Sequence, residues 1–441
     1  MSAPPLHRLR IASQDWIYAL PALLLGIALQ IQITLFETDT YLGLRINAAD
    51  LLLPVLGCLI TGRLLLKRDP WPQWQIPYTY GWIAALTALV SLALVNGYLN
   101  TGHWNQWALI NKYVGWFVLL AYMGVGAWLS GQERCDWKKA IFVSFAGFWA
   151  ATMPLFLFYM IHVDLGDNSH RIYNLYPLEG LMANRNAYAF LSFCALAFLT
   201  AVTMKKPAPA PIYFHALWAA IPLFYIYNAS RAGLVALIFI VMAFLATNLK
   251  WSLRHILLPL MLGAALTTAY TFWHKDSLAL DITFSRVHET AQLSMLSQMP
   301  ATDVQEKLNY DGDQVRIDTY SDALAVWHAH PIWGGGLGAF RDYQESKRGT
   351  YSDVIDFTAL WLLAETGIIG LTLFAVFFAL ALWNLFARIR KRKDPDGFYL
   401  GALMIMLVFA IMSLTHELLY TRFLWFFMGM ALALPAAERQ S

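Results

Sequence analysis

Charge is scarce in this sequence. Only 13% of its 441 residues are Asp, Glu, Lys or Arg, against about 25% in an ordinary soluble domain. A solvated globular enzyme is thereby excluded. Cysteine is nearly absent too. Cys58, Cys135 and Cys194 stand apart and form no Cys-x-x-Cys pair, so neither a disulfide framework nor a structural zinc site is expected. There is no Walker A loop, no dinucleotide-binding glycine pattern and no Gly-x-Ser-x-Gly elbow. ATP-driven chemistry is not indicated. The net charge is only +3, and topology accounts for most of the cations, so nucleic acid is not an expected partner. The first apolar run has the length of a full span and not of a short leader core, so no cleaved signal peptide is expected.

What the chain has is apolar length. Hydrophobic residues make up 59% of it. Crossing ~30 Å of hydrocarbon takes about 20 residues of helix, and twelve runs qualify, with soft ends: 16–35, 49–65, 77–97, 112–129, 140–161, 184–204, 212–227, 232–249, 255–273, 357–384, 398–414 and 422–437. Unpaired backbone groups are not tolerated in lipid, so these runs should be helices. The expected class is an all-α polytopic membrane protein.

Basic residues orient it. Arg8 and Arg10; Arg63, Lys67 and Arg68; Arg134, Lys138 and Lys139; Lys205 and Lys206; Lys250 and Arg254; and the run Ala387 to Lys393, "ARIRKRK", all fall on one side of a twelve-span layout. That side is the cytoplasm by the positive-inside rule, and both termini belong there. The chain divides into spans one to nine (1–273), a large external loop (274–355) and spans ten to twelve (356–441).

The loop is polar without being low in complexity. From Asp311 to His330 it reads as a helix with Val315, Tyr320, Leu324 and Trp327 as an apolar stripe. "PIWGGGLGAF", Pro331 to Phe340, then breaks the helix. A long ordered loop is more often functional than idle, and this one is expected to cap the external face.

Ionisable residues gather on that same side. Arg185 opens span six and Arg231 opens span eight, with no acidic residue within ten positions of Arg231. Arg316 begins the helical stretch of the loop, and Asp356 precedes span ten. His416, Glu417, Tyr420 and Arg422 lie between spans eleven and twelve. Guanidinium forks at a headgroup interface suit a phosphate or diphosphate. An arginine at a span end can also simply snorkel. Asp356 is suited to general-base work, or to capping span ten. His416 and His330 are further base candidates. His328 and His330 point to different faces of a helix, so no metal site is expected. Glu365 reads as an interhelical hydrogen-bonding group. Glu37 and Asp39 in "FETDTY" read as an exposed acidic turn, with a catalytic acidic pair as the alternative.

Several stretches together resemble the bacterial O-antigen ligase and O-antigen/exopolysaccharide polymerase superfamily. They are "NRNAYAF" (Asn184 to Phe190), "NASRAGLVAL" (Asn228 to Leu237), "VRIDTYSDALAVWHAHPIWGGGLGAF" (Val315 to Phe340) and "LWLLAETGIIGL" (Leu360 to Leu371). The resemblance is dense from about residue 180 to 375. It implies a GT-C-like, metal-independent, inverting glycosyltransferase of the bacterial inner membrane, with no cofactor and its active site facing the periplasm. The implied donor is an undecaprenyl-diphosphate-linked glycan, and the acceptor a second glycan or lipid A-core. Arg185 and Arg231 would hold the diphosphate, assisted by Arg316 and Arg422. Asp356 stands where ligases commonly carry a histidine, nine residues before the Glu of the Leu-x-Glu motif. That departure shifts weight toward a polymerase, or toward a ligase that uses His416 or His330. The competing class is a lipid-linked oligosaccharide flippase. A metal-dependent transferase built on Glu37 and Asp39 is a third.

Overall fold

The computed structural model describes all residues except 1–15, 39–40, 68, 70, 132–136, 166–177, 183, 274–310, 350–354, 392–393 and 435–441. Both termini, the tip Asp39 of the acidic turn, and much of the large loop therefore lie outside the described residues.

The chain is a helical membrane protein. Its elements are α1 (Trp16–Ala28), β1 (Gln32–Thr38), β2 (Tyr41–Asn47), α2 (Ala49–Leu65), α3 (Thr79–Thr101), α4 (Gly115–Ser130), α5 (Trp137–Leu165), α6 (Arg185–Lys205), α7 (Ile212–Asn228), α8 (Arg231–Thr247), α9 (Leu258–Trp273), α10 (Asp311–Ala329), α11 (Ala339–Arg348), α12 (Thr358–Arg390), α13 (Phe398–Met412) and α14 (Arg422–Leu432). A π-helical stretch, Ala108–Val114, leads into α4, and another, Leu253–Leu257, leads into α9. Each expected apolar run contains a helix, the first only as far as Ala28. Among the described residues six helices are long and apolar enough to cross a membrane: Thr79–Thr101, Ala108–Ser130, Ser144–His162, Arg185–Lys205, Leu249–Trp273 and Thr358–Arg390. Arg231–Thr247, Phe398–Met412 and Arg422–Leu432 are apolar but shorter.

Two local expectations change. The first apolar run stops as a helix at Ala28, and the chain continues as an antiparallel hairpin in which Gln32 pairs with Asn47 and Thr38 with Tyr41. β-branched and apolar residues alternate with polar ones there, "QITLFET", which suits a strand. Glu37 lies in β1 and not in a turn. In α10 the buried positions are Thr319, Asp322, Ala323 and Val326, while Leu324 is exposed. The face that packs is thus partly polar, which an apolar-stripe reading cannot find.

The glycine-rich segment after α10 is the structural centre of the candidate site's end of the bundle. It enters between α3 and α12. Gly335 N–H donates to Ala364 O at 2.8 Å and Gly336 N–H to Glu365 O at 3.1 Å. Ile368 N–H donates to Pro331 O at 3.0 Å and Ile369 N–H to Ile332 O at 3.3 Å. From α3, Asn96 Nδ2 donates to Gly334 O and Asn100 Nδ2 to Gly335 O, both at 2.8 Å. Leu337 N–H returns a bond to Ala93 O. α12 is broken at Gly367, whose φ of 66° and ψ of −168° are not helical. The groups freed by that break are the ones the loop satisfies. Non-helical backbone is tolerated at membrane depth only when buried in protein in this way. Gly336, at φ 96°, lies against the backbone of Asn96 and Gly97, leaving no room for a Cβ.

Candidate functional site

The motifs "NRNAYAF" and "NASRAGLVAL" are two halves of one junction. α7 ends at Asn228, Ala229 takes the left-handed conformation at φ 51°, and Ser230 caps α8, its Oγ accepting from Gly233 N–H at 3.2 Å. Asn184 caps α6 in the same manner, accepting from Asn186 and Ala187 N–H. Cross-links join the two starts. Ser230 Oγ bonds Asn186 Oδ1 at 3.0 Å, and Asn228 Nδ2 donates to Arg185 O at 2.9 Å and to Leu178 O at 2.8 Å. These bonds fix the first residues of two helices, Arg185 and Arg231, beside one another. Both side chains are half-buried. Helix N-termini carry partial positive charge and point N–H donors outward, so the junction favours an anion on two counts.

The turn between α13 and α14 lies within electrostatic reach of that junction. His416 is 7% exposed. Burial pushes its imidazole down to about 3, and the charges of Arg316 and then Arg231 push the same way. One imidazole therefore senses two guanidiniums that are 85 positions apart in the chain. Arg316 in turn bonds Asp356, Nε to Oδ2, at 3.2 Å, with both side chains about a third exposed. Asp356 is not the cap of α12; the capping position is Phe357 and it makes no side-chain cap.

The structure thus gathers Arg231, Arg316, Asp356 and His416, with Arg185 tied to Arg231 through backbone. It separates two other candidates. His330 is exposed just beyond the far end of α10, about 20 Å along the helix from Arg316. Arg422 is held by Asp50 of α2, Nη2 to Oδ2 at 3.0 Å and Nε to Oδ1 at 3.3 Å, and Tyr122 Oη donates to the same carboxylate at 2.7 Å. Among the described residues no three His, Cys, Asp or Glu side chains gather as a metal site.

One buried group, Lys112, escaped the sequence reading, and a second, Glu365, has a partner other than the expected one. Lys112, in the π-helical stretch before α4, is 2% exposed. Its Nζ contacts Glu417 Oε2 at 2.7 Å and sits over the rings of Tyr420, Trp361 and Trp107 at 4.4, 4.5 and 5.1 Å. Its signal in the sequence is the one that singled out Arg231, a lone cation at the mouth of an apolar run. Glu365 is 1% exposed and faces the glycine loop, where Gly338 N–H donates to its carboxylate. It joins a helix to a loop, not two helices as expected.

Residues 215–375 match the family model described as O-antigen ligase. No curated protein matches the chain. The matched segment holds Arg231, Arg316, Asp356, the glycine loop and the break in α12, while Arg185, His416 and Lys112 lie outside it. Over residues 215–375 the chain is similar to the O-antigen ligase family.

Proposed function

We propose that this protein is a glycosyltransferase of the bacterial inner membrane, with about twelve spans and both termini cytoplasmic. It moves a glycan from an undecaprenyl diphosphate to an acceptor hydroxyl on the periplasmic side. The observation that carries the reading is the convergence of Arg231 and Arg316 on His416, with Asp356 paired to Arg316. Anionic leaving groups are stabilised by pre-placed cations, and no metal is needed for that.

In this scheme Arg185 and Arg231, at two helix N-termini, hold the diphosphate. Arg316 is shared between Asp356 and the incoming donor. When phosphate oxygens compete for its fork, the Asp356 carboxylate is left to accept a proton. The acceptor oxygen attacks the anomeric carbon, and the bond from that carbon to the diphosphate oxygen breaks. The acceptor proton passes to Asp356, and the charge on the departing diphosphate is met by the arginines. Attack opposite the leaving group inverts the sugar. His416, neutral at physiological pH, donates or accepts a hydrogen bond at the same place. Arg422 and His330 have no part in the scheme. The described part of the large loop, 311–349, stands over this site on the external face.

Purified protein is incubated with polyprenyl-diphosphate glycan in excess EDTA, and the products are sized on a gel. A ladder of lengthening lipid-linked chains means that the donor is also the acceptor, and the protein is a polymerase. A single new species that requires lipid A-core means a ligase. No transfer in EDTA, with rescue by Mg²⁺ or Mn²⁺, overturns the metal-independent reading. No transfer under any of these conditions leaves the flippase class.

A further inference from the structure

We infer that Lys112 and Glu417 form a positioning clamp that holds His416 against the two arginines. The inference rests on the proposed function for its catalytic meaning, but its geometry stands apart from it.

The turn that carries His416 is short and has no regular structure of its own; α13 ends at Met412 and α14 begins at Arg422. It is tied down from three directions. Thr358, the first residue of α12, donates its hydroxyl to His416 O at 2.8 Å, accepts from Leu418 N–H at 3.2 Å, and gives its own N–H to Ser413 O. Trp425 Nε1 donates to Leu419 O at 2.7 Å. The third tie is Lys112, which takes the turn at two points. Its ammonium binds the Glu417 carboxylate at 2.7 Å, and its backbone carbonyl accepts from Tyr420 Oη at 3.0 Å. The Tyr420 ring also lies under the same ammonium.

A buried lysine is costly unless its charge is met, and here a carboxylate and three aromatic faces meet it. Lys112 sits in a π-helical stretch, an irregularity often found at functional sites. No phosphate can reach an ammonium that is 2% exposed, so a direct role on the donor is excluded. The remaining role is to fix the neighbour of Glu417. Glu417 is the next residue to His416, so fixing Glu417 toward Lys112 fixes the backbone from which the His416 side chain reaches the charges of Arg316 and Arg231.

The clamp is tested by a neutral pair, Lys112→Met with Glu417→Gln, which keeps volume and leaves no lone buried charge. Arg63→Gln, which breaks the Arg63–Asp69 pair in another part of the bundle, is the control for losing an ion pair in general. Two readouts are taken on full-length protein in detergent. The first is glycan transfer. The clamp variant is expected to lose at least tenfold in kcat with KM for the donor changed less than twofold. The second is diethylpyrocarbonate modification of His416, followed by mass spectrometry with exposed His103 and His330 as internal references. The clamp variant is expected to react at least tenfold faster at His416 only. Unchanged His416 reactivity in a folded clamp variant overturns the inference, as does equal acceleration in the Arg63 control. If wild-type protein transfers no glycan while His416 is still released by the clamp variant, the functional reading has failed and the clamp has not. If the neutral pair does not fold, Glu417→Gln alone is read by the same two measurements under the same criteria.

Discussion

His416 should make the protein acid-sensitive in a window that can be calculated. The ordinary histidine value is 6.5, and in the folded protein burial, then Arg316, then Arg231, push it down to about 3. Between these values the unfolded chain binds a proton at this position and the folded chain does not. Stability therefore rises with pH across the window and is lost as pH falls below about 6.5. One unit below the unfolded value the loss is RT ln(1 + 10), about 1.4 kcal/mol; two units below, it is about 2.7 kcal/mol. The measurement is reversible unfolding in mixed micelles at pH 7.5 and 5.5, on wild type and on His416→Gln, which retains hydrogen-bonding capacity but cannot titrate. Every other titrating group is common to both proteins and cancels in the difference. Wild type should lose about 1.4 kcal/mol more than the variant on acidification. Equal losses would show that His416 is not held neutral, and that the two arginines do not face it as described.

Replacing Arg231 by Ala should abolish transfer, by at least about a hundredfold as for loss of a principal charge-stabilising group, without change in insertion or melting; near-wild-type turnover would sink its role on the diphosphate. Asp356→Asn should lower kcat far more than it raises KM for the donor, because the base acts on the acceptor; a fall in melting temperature with kcat intact would mark Asp356 as a structural partner of Arg316. Gly336→Ala should destabilise the protein by more than the ~1–2 kcal/mol that a left-handed φ costs a Cβ-bearing residue, because the added methyl also meets the backbone of Gly97. A melting temperature equal to wild type would mean that the glycine loop does not sit between α3 and α12.

The comparison of Arg231 with Arg422 shows where sequence reasoning stops. Both are cations at the mouth of an apolar helix, and nothing local separates them. Arg231 is brought to His416, whereas Arg422 meets Asp50, 372 positions away in the chain. Asp356 illustrates the same limit: its place before α12 suits a helix cap, yet the partner the structure gives it is Arg316, forty positions earlier. The triple glycine was legible as a break. That the broken strand of chain would re-enter the bundle and mend a second break at Gly367 was not, because the two breaks are joined only by hydrogen bonds across space.

What the sequence determined by itself was the medium and the helices. Apolar runs long enough to cross hydrocarbon leave the backbone one way to satisfy itself, so length and composition place the helical elements to within several residues at each end. What only the tertiary structure decided was which groups each of the cations meets. Pairing depends on the ends of helices remote in sequence coming together, as the starts of α6 and α8 do through Asn186, Asn228 and Ser230. It also depends on one turn, 413–421, being gripped by α12 and Lys112 so that His416 faces the arginines. Hydrophobic periodicity carries no information about such contacts, because it records which side of a helix avoids water and not what stands opposite.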